Sequence, residues 1–202
     1  MEKNLIAADL GAESGRVILG RFDGERIDLE ELHRFPNRQE TIDGSLHWRA
    51  RDLFEQITDG ISKGVAITNG NLQSIGVDTW GVDYGLLDRQ EELLRPPVAY
   101  RDNRTEGVME RVNALLTPER VYDETGIQFM PINTLYQLVA EKEKSPSLFD
   151  RASRLLFMPD LLNFWLSGKA VCEYSIASTS QCLNMKTGTW SSILDDLNLP
   201  AS

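Results

Sequence analysis

Ala8-Asp9-Leu10-Gly11-Ala12-Glu13-Ser14-Gly15-Arg16-Val17 is the stretch whose reading decides the fold. An apolar run, Leu5-Ile6-Ala7-Ala8, enters it, and Val17-Ile18-Leu19 leaves it. The branched residues favour strands on both sides. Two glycines, an alanine and a serine between the runs make a β-hairpin with a tight, small-residue turn. In such a turn backbone N–H groups can converge on an anion, because glycine lacks the Cβ that would hold a phosphate away. Asp9, at the strand end, stands where a carboxylate could hold hydrated Mg²⁺ against those phosphates. An ordinary glycine-containing hairpin is the alternative. The stretch is neither a P-loop nor a dinucleotide fingerprint, since no Gly-Lys-Ser/Thr is present and a strand follows where a helix would be needed.

Working outward, Asp23-Gly24 is a hairpin turn signal, and Ile27 to Phe35 reads as a third antiparallel strand closed by Pro36. Asn37 to Leu46 is polar, with a turn at Asp43-Gly44. Leu53, Phe54, Ile57, Ile61 and Val65 recur at helical spacing and predict a helix over 51–66, stopped by Asn69-Gly70. Leu72 to Val77 reads as a buried strand, and Gly85 to Asp88 as another. A meander, a helix and a strand returning parallel to the first predict an α/β fold with a mixed sheet of about five strands flanked by helices. Further helices are expected at 106–116, at 118–124 behind the Thr117-Pro118 cap, at 133–144, in a brief turn at 148–152, from 158 to Gly168, and at 191–197. A strand is expected at 179–185, with its turn at Lys186-Thr187-Gly188, and the chain is expected to end at Pro200-Ala201-Ser202 without a tail.

The chain has 202 residues and a net charge of −10, with 41% hydrophobic and 26% charged residues. No basic stripe is present for nucleic acid. An anionic substrate would need a local positive site, such as a loop of N–H groups or a metal. Cys172 and Cys182 read as buried thiols of a reducing compartment, and no metal-binding spacing accompanies them. No signal peptide or membrane-length apolar run is evident, so a cytoplasmic protein without a membrane partner is expected.

Asp78 also follows an apolar run, so Asp9 and Asp78 are expected at neighbouring strand ends, where α/β sheets bind ligands. Asp78-Thr79-Trp80-Gly81 offers a carboxylate, a hydroxyl, a flat ring and open backbone, which suit a sugar. A strand end with a core Trp and a bulge Gly fits the same residues equally well. Arg101-Asp102-Asn103-Arg104-Thr105 could bind hydroxyls or carboxylates, or form a solvated turn.

Taken in order, Asp-Leu-Gly-Ala-x-Ser-Gly-Arg at the N-terminus, Gly-x-Asp-Thr-Trp-Gly-Val-Asp at 76–83 and Ala-Tyr-Arg-Asp-x-Arg-Thr at 99–105 resemble the FGGY carbohydrate kinases. The likeness is strongest to the branch that acts on L-rhamnulose. It continues through Thr125-Gly126-Ile127-Gln128-Phe129, Asn133-Thr134-Leu135-Tyr136-Gln137-Leu138 and Leu156-Phe157-Met158-Pro159-Asp160. The resemblance implies an actin-like, ribonuclease H-like domain, with ATP and sugar bound in a cleft between two such domains. It implies that Ala12, Glu13, Ser14, Gly15 and Arg16 line the ATP phosphates, that Asp9 helps hold Mg²⁺, and that Gly81 touches the sugar. Trp80, Tyr100 and Arg101 are further sugar-pocket candidates on the same basis. Glu13 replaces the serine of the commoner family loop, and a carboxylate beside phosphates repels them unless it points away or meets Mg²⁺. The family's general base, an Asp, and its adenosine site have no counterpart before Ser202. The resemblance thus implies an N-terminal domain whose C-terminal, nucleotide-binding partner is missing from this chain, inactive alone. Asp78 and Asp83 are poor substitutes for the base. Two alternatives stay open: a kinase for another deoxy-ketose such as L-fuculose, and a non-catalytic sugar-binding or regulatory remnant.

Overall fold

The computed structural model describes residues 3–199; the expected chain end at Pro200–Ser202 lies outside them. Strands β1 (Lys3–Leu10), β2 (Ser14–Phe22) and β3 (Ile27–Pro36) form the antiparallel meander. Helix α1 (Ala50–Ile67) then returns the chain to β6 (Ser74–Asp78), which lies parallel to β1. Between β3 and α1 sits a short hairpin, β4 (Gln39–Ile42) and β5 (Ser45–Trp48). The sheet order is β3-β2-β1-β6.

Alternation along the strands sets the layers. Ile6, Ala8 and Leu10 of β1 and Val17 and Leu19 of β2 are buried with Leu53 and Ile57 of α1. Two glycines of α1 permit this close contact, for a Cβ on Gly60 would stand 2.5 Å from Val17 Cβ. The opposite sheet face carries Leu5, Ala7, Ile18, Phe22, Ile27 and Leu29 in register, with Ile27 and Leu29 51% and 68% exposed.

The expected five-stranded sheet has four strands among the described residues. The strand after residue 83, β7 (Tyr84–Leu87), leaves that sheet and pairs antiparallel with β8 (Arg154–Phe157). The segment expected as a buried strand is β6, which is largely exposed, because among the described residues β1 is its single strand partner. The polar stretch after Pro36 is the β4–β5 hairpin, turned at Asp43 and Gly44 with φ of 49° and 79°; two left-handed residues suit a two-residue hairpin loop.

The second half is helical: α2 (Val108–Leu115), α3 (Pro118–Thr125), α4 (Thr134–Lys144), α5 (Pro146–Arg151) and α6 (Met158–Ser167). Thr117 caps α3 by accepting from Arg120 N, and left-handed Gly126 closes it. Leu115, expected on the apolar face of α2, is 75% exposed. The strand expected at 179–185 is only β9 (Leu183–Asn184), paired with β10 (Thr189–Trp190). It is preceded by α7 (Tyr174–Ser178), and α8 (Ile193–Asp196) ends the described chain. Leu135, Leu138, Leu155 and Phe157 join Val108, Val121 and Leu194 in this half's core. Among the described residues no helix is long and apolar enough to cross a membrane.

Candidate active site

The β1–β2 loop is pinned from below. In the hairpin register Asp9 faces Arg16 and Leu10 faces Gly15. Gly11 N donates to Ser14 O at 2.9 Å. Asn37 secures the rest: its N–H donates to Glu13 O and its Nδ2 to Gly11 O, both at 2.9 Å. Three loop carbonyls are thereby occupied. The N–H groups of Ala12 and Glu13 have no acceptor among the described residues, and Gly11, Glu13 and Ser14 are exposed. This is the donor geometry an anion needs. Gly15 is buried, and a Cβ there would lie 2.4 Å from Phe35 Cε2, so packing under the Phe35 ring requires this glycine.

Asp9 is held by Arg16, whose Nε and Nη2 reach Oδ2 at 2.8 and 2.7 Å. Asp78 lies beside Asp9 in the parallel register, so the two strand-end carboxylates are neighbours as expected. Among the described residues no three His, Cys, Asp or Glu side chains cluster as a metal cage. A hydrated Mg²⁺ fits such a site, since that ion keeps waters and binds through one or two carboxylates and phosphate oxygens.

Trp48 joins this loop to the sugar-pocket candidates. It is fully buried in a cluster with Ala50, Ala99 and Met158, and Ala12, Trp80 and Tyr100 pack against that cluster. Its ring centroid is 4.2 Å from that of Trp80 and 6.2 Å from that of Tyr100. Asp83 ties the group together. Its Oδ2 accepts from Trp48 Nε1 at 2.5 Å, Trp80 Nε1 at 2.9 Å and Tyr100 N at 3.1 Å, and its Oδ1 accepts from Gln137 Nε2 at 2.9 Å. Burial pushes the Asp83 carboxyl above its ordinary pKa, and these four donors pull it back.

Gln137, on α4, extends the network. Its Nε2 also donates to Ile132 O at 2.8 Å, and its Oε1 accepts from Arg104 Nη2 at 2.5 Å. The Arg104 side chain is buried and reaches Glu141 at 3.4 Å; Glu141 also pairs with Arg95. The 76–83, 99–105 and 133–138 motifs thus meet in one polar cluster. Val82, between Gly81 and Asp83, has φ of 70°, a rare conformation for a β-branched residue. Thr134 Oγ1 holds it there by donating to Val82 O at 2.7 Å.

Tyr100 and Arg101 line an open groove of about 620 Å³ with Asp102, Asn103, Glu110 and Ile132. Arg101 lies 5.5 Å from the Tyr100 ring centroid. Gly81, next to Trp80, is outside the lining of that groove, and a Cβ on it would stand 3.0 Å from Thr179 Oγ1. Sequence reading missed Trp48, Asp83 and Gln137 as members of the site. The signal available was an Asp at the end of the 76–83 motif, four residues past Thr79, with no charge partner nearby in sequence.

The chain matches "FGGY family of carbohydrate kinases, N-terminal domain" over residues 4–201. A rhamnulokinase of Mannheimia succiniciproducens is 44% identical over 98% of this chain. A rhamnulokinase of Bacteroides thetaiotaomicron is 45% identical over 93% of it. The chain spans 42% and 38% of the lengths of those relatives. Among solved structures, a gluconate kinase of Lactobacillus acidophilus superposes with a TM-score of 0.86 at 21% identity, over 100% of this chain and 41% of its own. A xylulose kinase of the same organism gives 0.85 at 22% identity, over 98% and 40%. These likenesses fix the fold as the actin-like, ribonuclease H-like fold of sugar kinases. By its match along nearly its whole length, the chain belongs to the FGGY family of carbohydrate kinases, as an N-terminal domain.

Proposed function

We propose that this chain is the N-terminal part of an ATP- and Mg²⁺-dependent kinase that phosphorylates the 1-hydroxyl of L-rhamnulose. The observation that carries the reading is that Ala12 of the hairpin loop packs against the same buried cluster, built on Trp48, as Trp80 and Tyr100. A phosphate-binding loop and a sugar-binding wall then share one support, as in-line transfer requires. The rhamnulokinase relatives at 44–45% identity favour L-rhamnulose over L-fuculose.

In this reading the Ala12 and Glu13 N–H groups cradle phosphate oxygens, Ser14 and Arg16 flank them, and Gly15 keeps the loop close to the sheet. Glu13 contributes through its main chain, since its side chain is exposed and its carbonyl is held by Asn37. Asp9 would hold Mg²⁺ through water, and that ion would neutralise charge on the transferring phosphoryl group. Arg16 keeps the Asp9 carboxylate in place. Trp80, Gly81, Tyr100 and Arg101 receive the ketose. The general base and adenosine site belong to a C-terminal domain beyond residue 202, and the complete enzyme works in the cytoplasm.

Calorimetric titration of the chain with L-rhamnulose, L-fuculose and D-xylulose tests the ketose assignment, with L-rhamnulose expected to bind tightest. A preference for L-fuculose transfers the reading to that ketose, and no ketose binding removes it. A coupled ADP-release assay on residues 1–202 is expected to show no sugar-dependent turnover. Turnover abolished by Asp9→Asn would place a complete active site in this chain.

A further inference from the structure

Asp83 and Val82 together carry two costs that packing alone would avoid. The Asp83 carboxylate is fully buried, and among the described residues no lysine or arginine pairs with it. An apolar core without the carboxylate and its donors would avoid that burden. Val82 reaches this point through a left-handed backbone that a β-branched residue adopts only when its surroundings impose it. Such costs concentrate where a chain must fix a functional surface.

The four donors come from four separate segments: the end of β5, the loop after β6, the 96–102 loop and α4. Three of them meet on one oxygen, Oδ2. The Asp83 main-chain carbonyl also accepts from Met158 N at 3.1 Å, which moors it to the start of α6. We infer that Asp83 is a positioning residue for ketose binding. Its carboxylate sets the tilt of the Trp80 indole and the path of the chain at Tyr100, and so shapes the wall of the groove that Tyr100 and Arg101 line. The inference rests on the ketose-kinase reading for the identity of the ligand, and on geometry for the wall.

Asp83→Asn preserves shape but turns one acceptor oxygen into a donor that opposes Gln137 Nε2 or the indole N–H groups. NMR of the tryptophan indoles and backbone amides, far-UV circular dichroism, and calorimetry with L-rhamnulose and with Mg·ATP read the result. A folded variant is expected, with the Trp48, Trp80 and Tyr100 N–H resonances moved upfield. L-rhamnulose binding should weaken about tenfold or more, and Mg·ATP binding should change by less than about twofold. Unchanged sugar affinity in the folded variant overturns the inference. If Asp83→Asn fails to fold, Trp80→Phe replaces it, keeping an aromatic ring and removing one donor. About threefold weaker L-rhamnulose binding with a shifted Trp48 indole supports the inference, and no change in either overturns it. If the unaltered chain binds no ketose, the ligand reading fails on its own. Asp83 is then judged by Asp83→Asn amide shifts, or by those of Trp80→Phe should the former not fold. Shifts reaching Arg101 and Asn103 support a positioned wall, and shifts confined to residues 80–84 overturn it.

Discussion

Asp160 sits in the first turn of α6, 3% exposed, with Oδ1 accepting from Glu173 N at 3.2 Å and Oδ2 unpartnered. Burial pushes its carboxyl up to about 6. A folded state that holds a proton more tightly than the unfolded chain loses stability as pH rises from about 4 to 6. Asp160→Asn should flatten that slope, removing on the order of 1–2 kcal/mol of the decline. Thermal melts of both proteins from pH 4 to 7 check this, and parallel curves would show that Asp160 does not titrate there. Gly81 allows a second test. Because Thr179 Oγ1 lies 3.0 Å from its would-be Cβ, Gly81→Ala perturbs both Thr179 and any sugar nearby. Weaker L-rhamnulose binding that persists in Gly81→Ala/Thr179→Ala assigns the effect to the pocket, and recovery assigns it to Thr179. At this scale the sequence revealed residues whose partners are local: Asp9 and Arg16 face each other across one hairpin. It could not reveal Asp83 or Trp48, whose partners come from segments far apart in the chain.

Helix α1 shows what two glycines in one element do differently. Gly60→Ala would favour the helix by about 1 kcal/mol in propensity. Its Cβ would meet Val17 Cβ and Cγ2 at 2.5 Å, however, and a β-branched side chain on a central strand cannot swing away. Overpacking of this kind costs about 1–3 kcal/mol, so Gly60→Ala should destabilise the protein. Gly64→Ala meets Ile6 Cδ1 at 2.5 Å and Leu32 Cδ1 at 3.1 Å, the movable ends of flexible chains, and should be near neutral. Denaturant melts of the two variants would separate them, and equal midpoints would refute the distinction. Elements with local stop and start signals were legible, such as α3 between Thr117 and Gly126. β7 was assigned to the wrong sheet because its partner β8 is distant in sequence. α7 went unseen because Glu173, outside the usual set of capping residues, accepts from Ser175 N and Ile176 N.

On the scale of the whole molecule, the sheet is covered by α1 on one side and presents Ile27 and Leu29 on the other. At the edge of the sheet opposite β3, β6 is unpaired on its outer side among the described residues. Open apolar faces and strand edges promote association between copies. The net charge of −10 opposes it. The balance predicts self-association that grows as salt screens the charge, and that Leu29→Lys reduces. Sedimentation velocity at low and high salt measures this, and a monomer at both would refute it. The two layers and the meander followed from alternation and turn chemistry, whereas the open face did not, because exposure depends on what else lies against the sheet.

β6 has a consequence in time as well. A strand bonded on one side protects alternate amides, so its inward N–H groups should exchange with solvent deuterium at the pace of sheet opening. Their outward neighbours should exchange nearly at the rate of an unfolded peptide. Ser74 to Asp78 is then a two-speed clock, and slowing of its fast half would report the arrival of any strand that docks there.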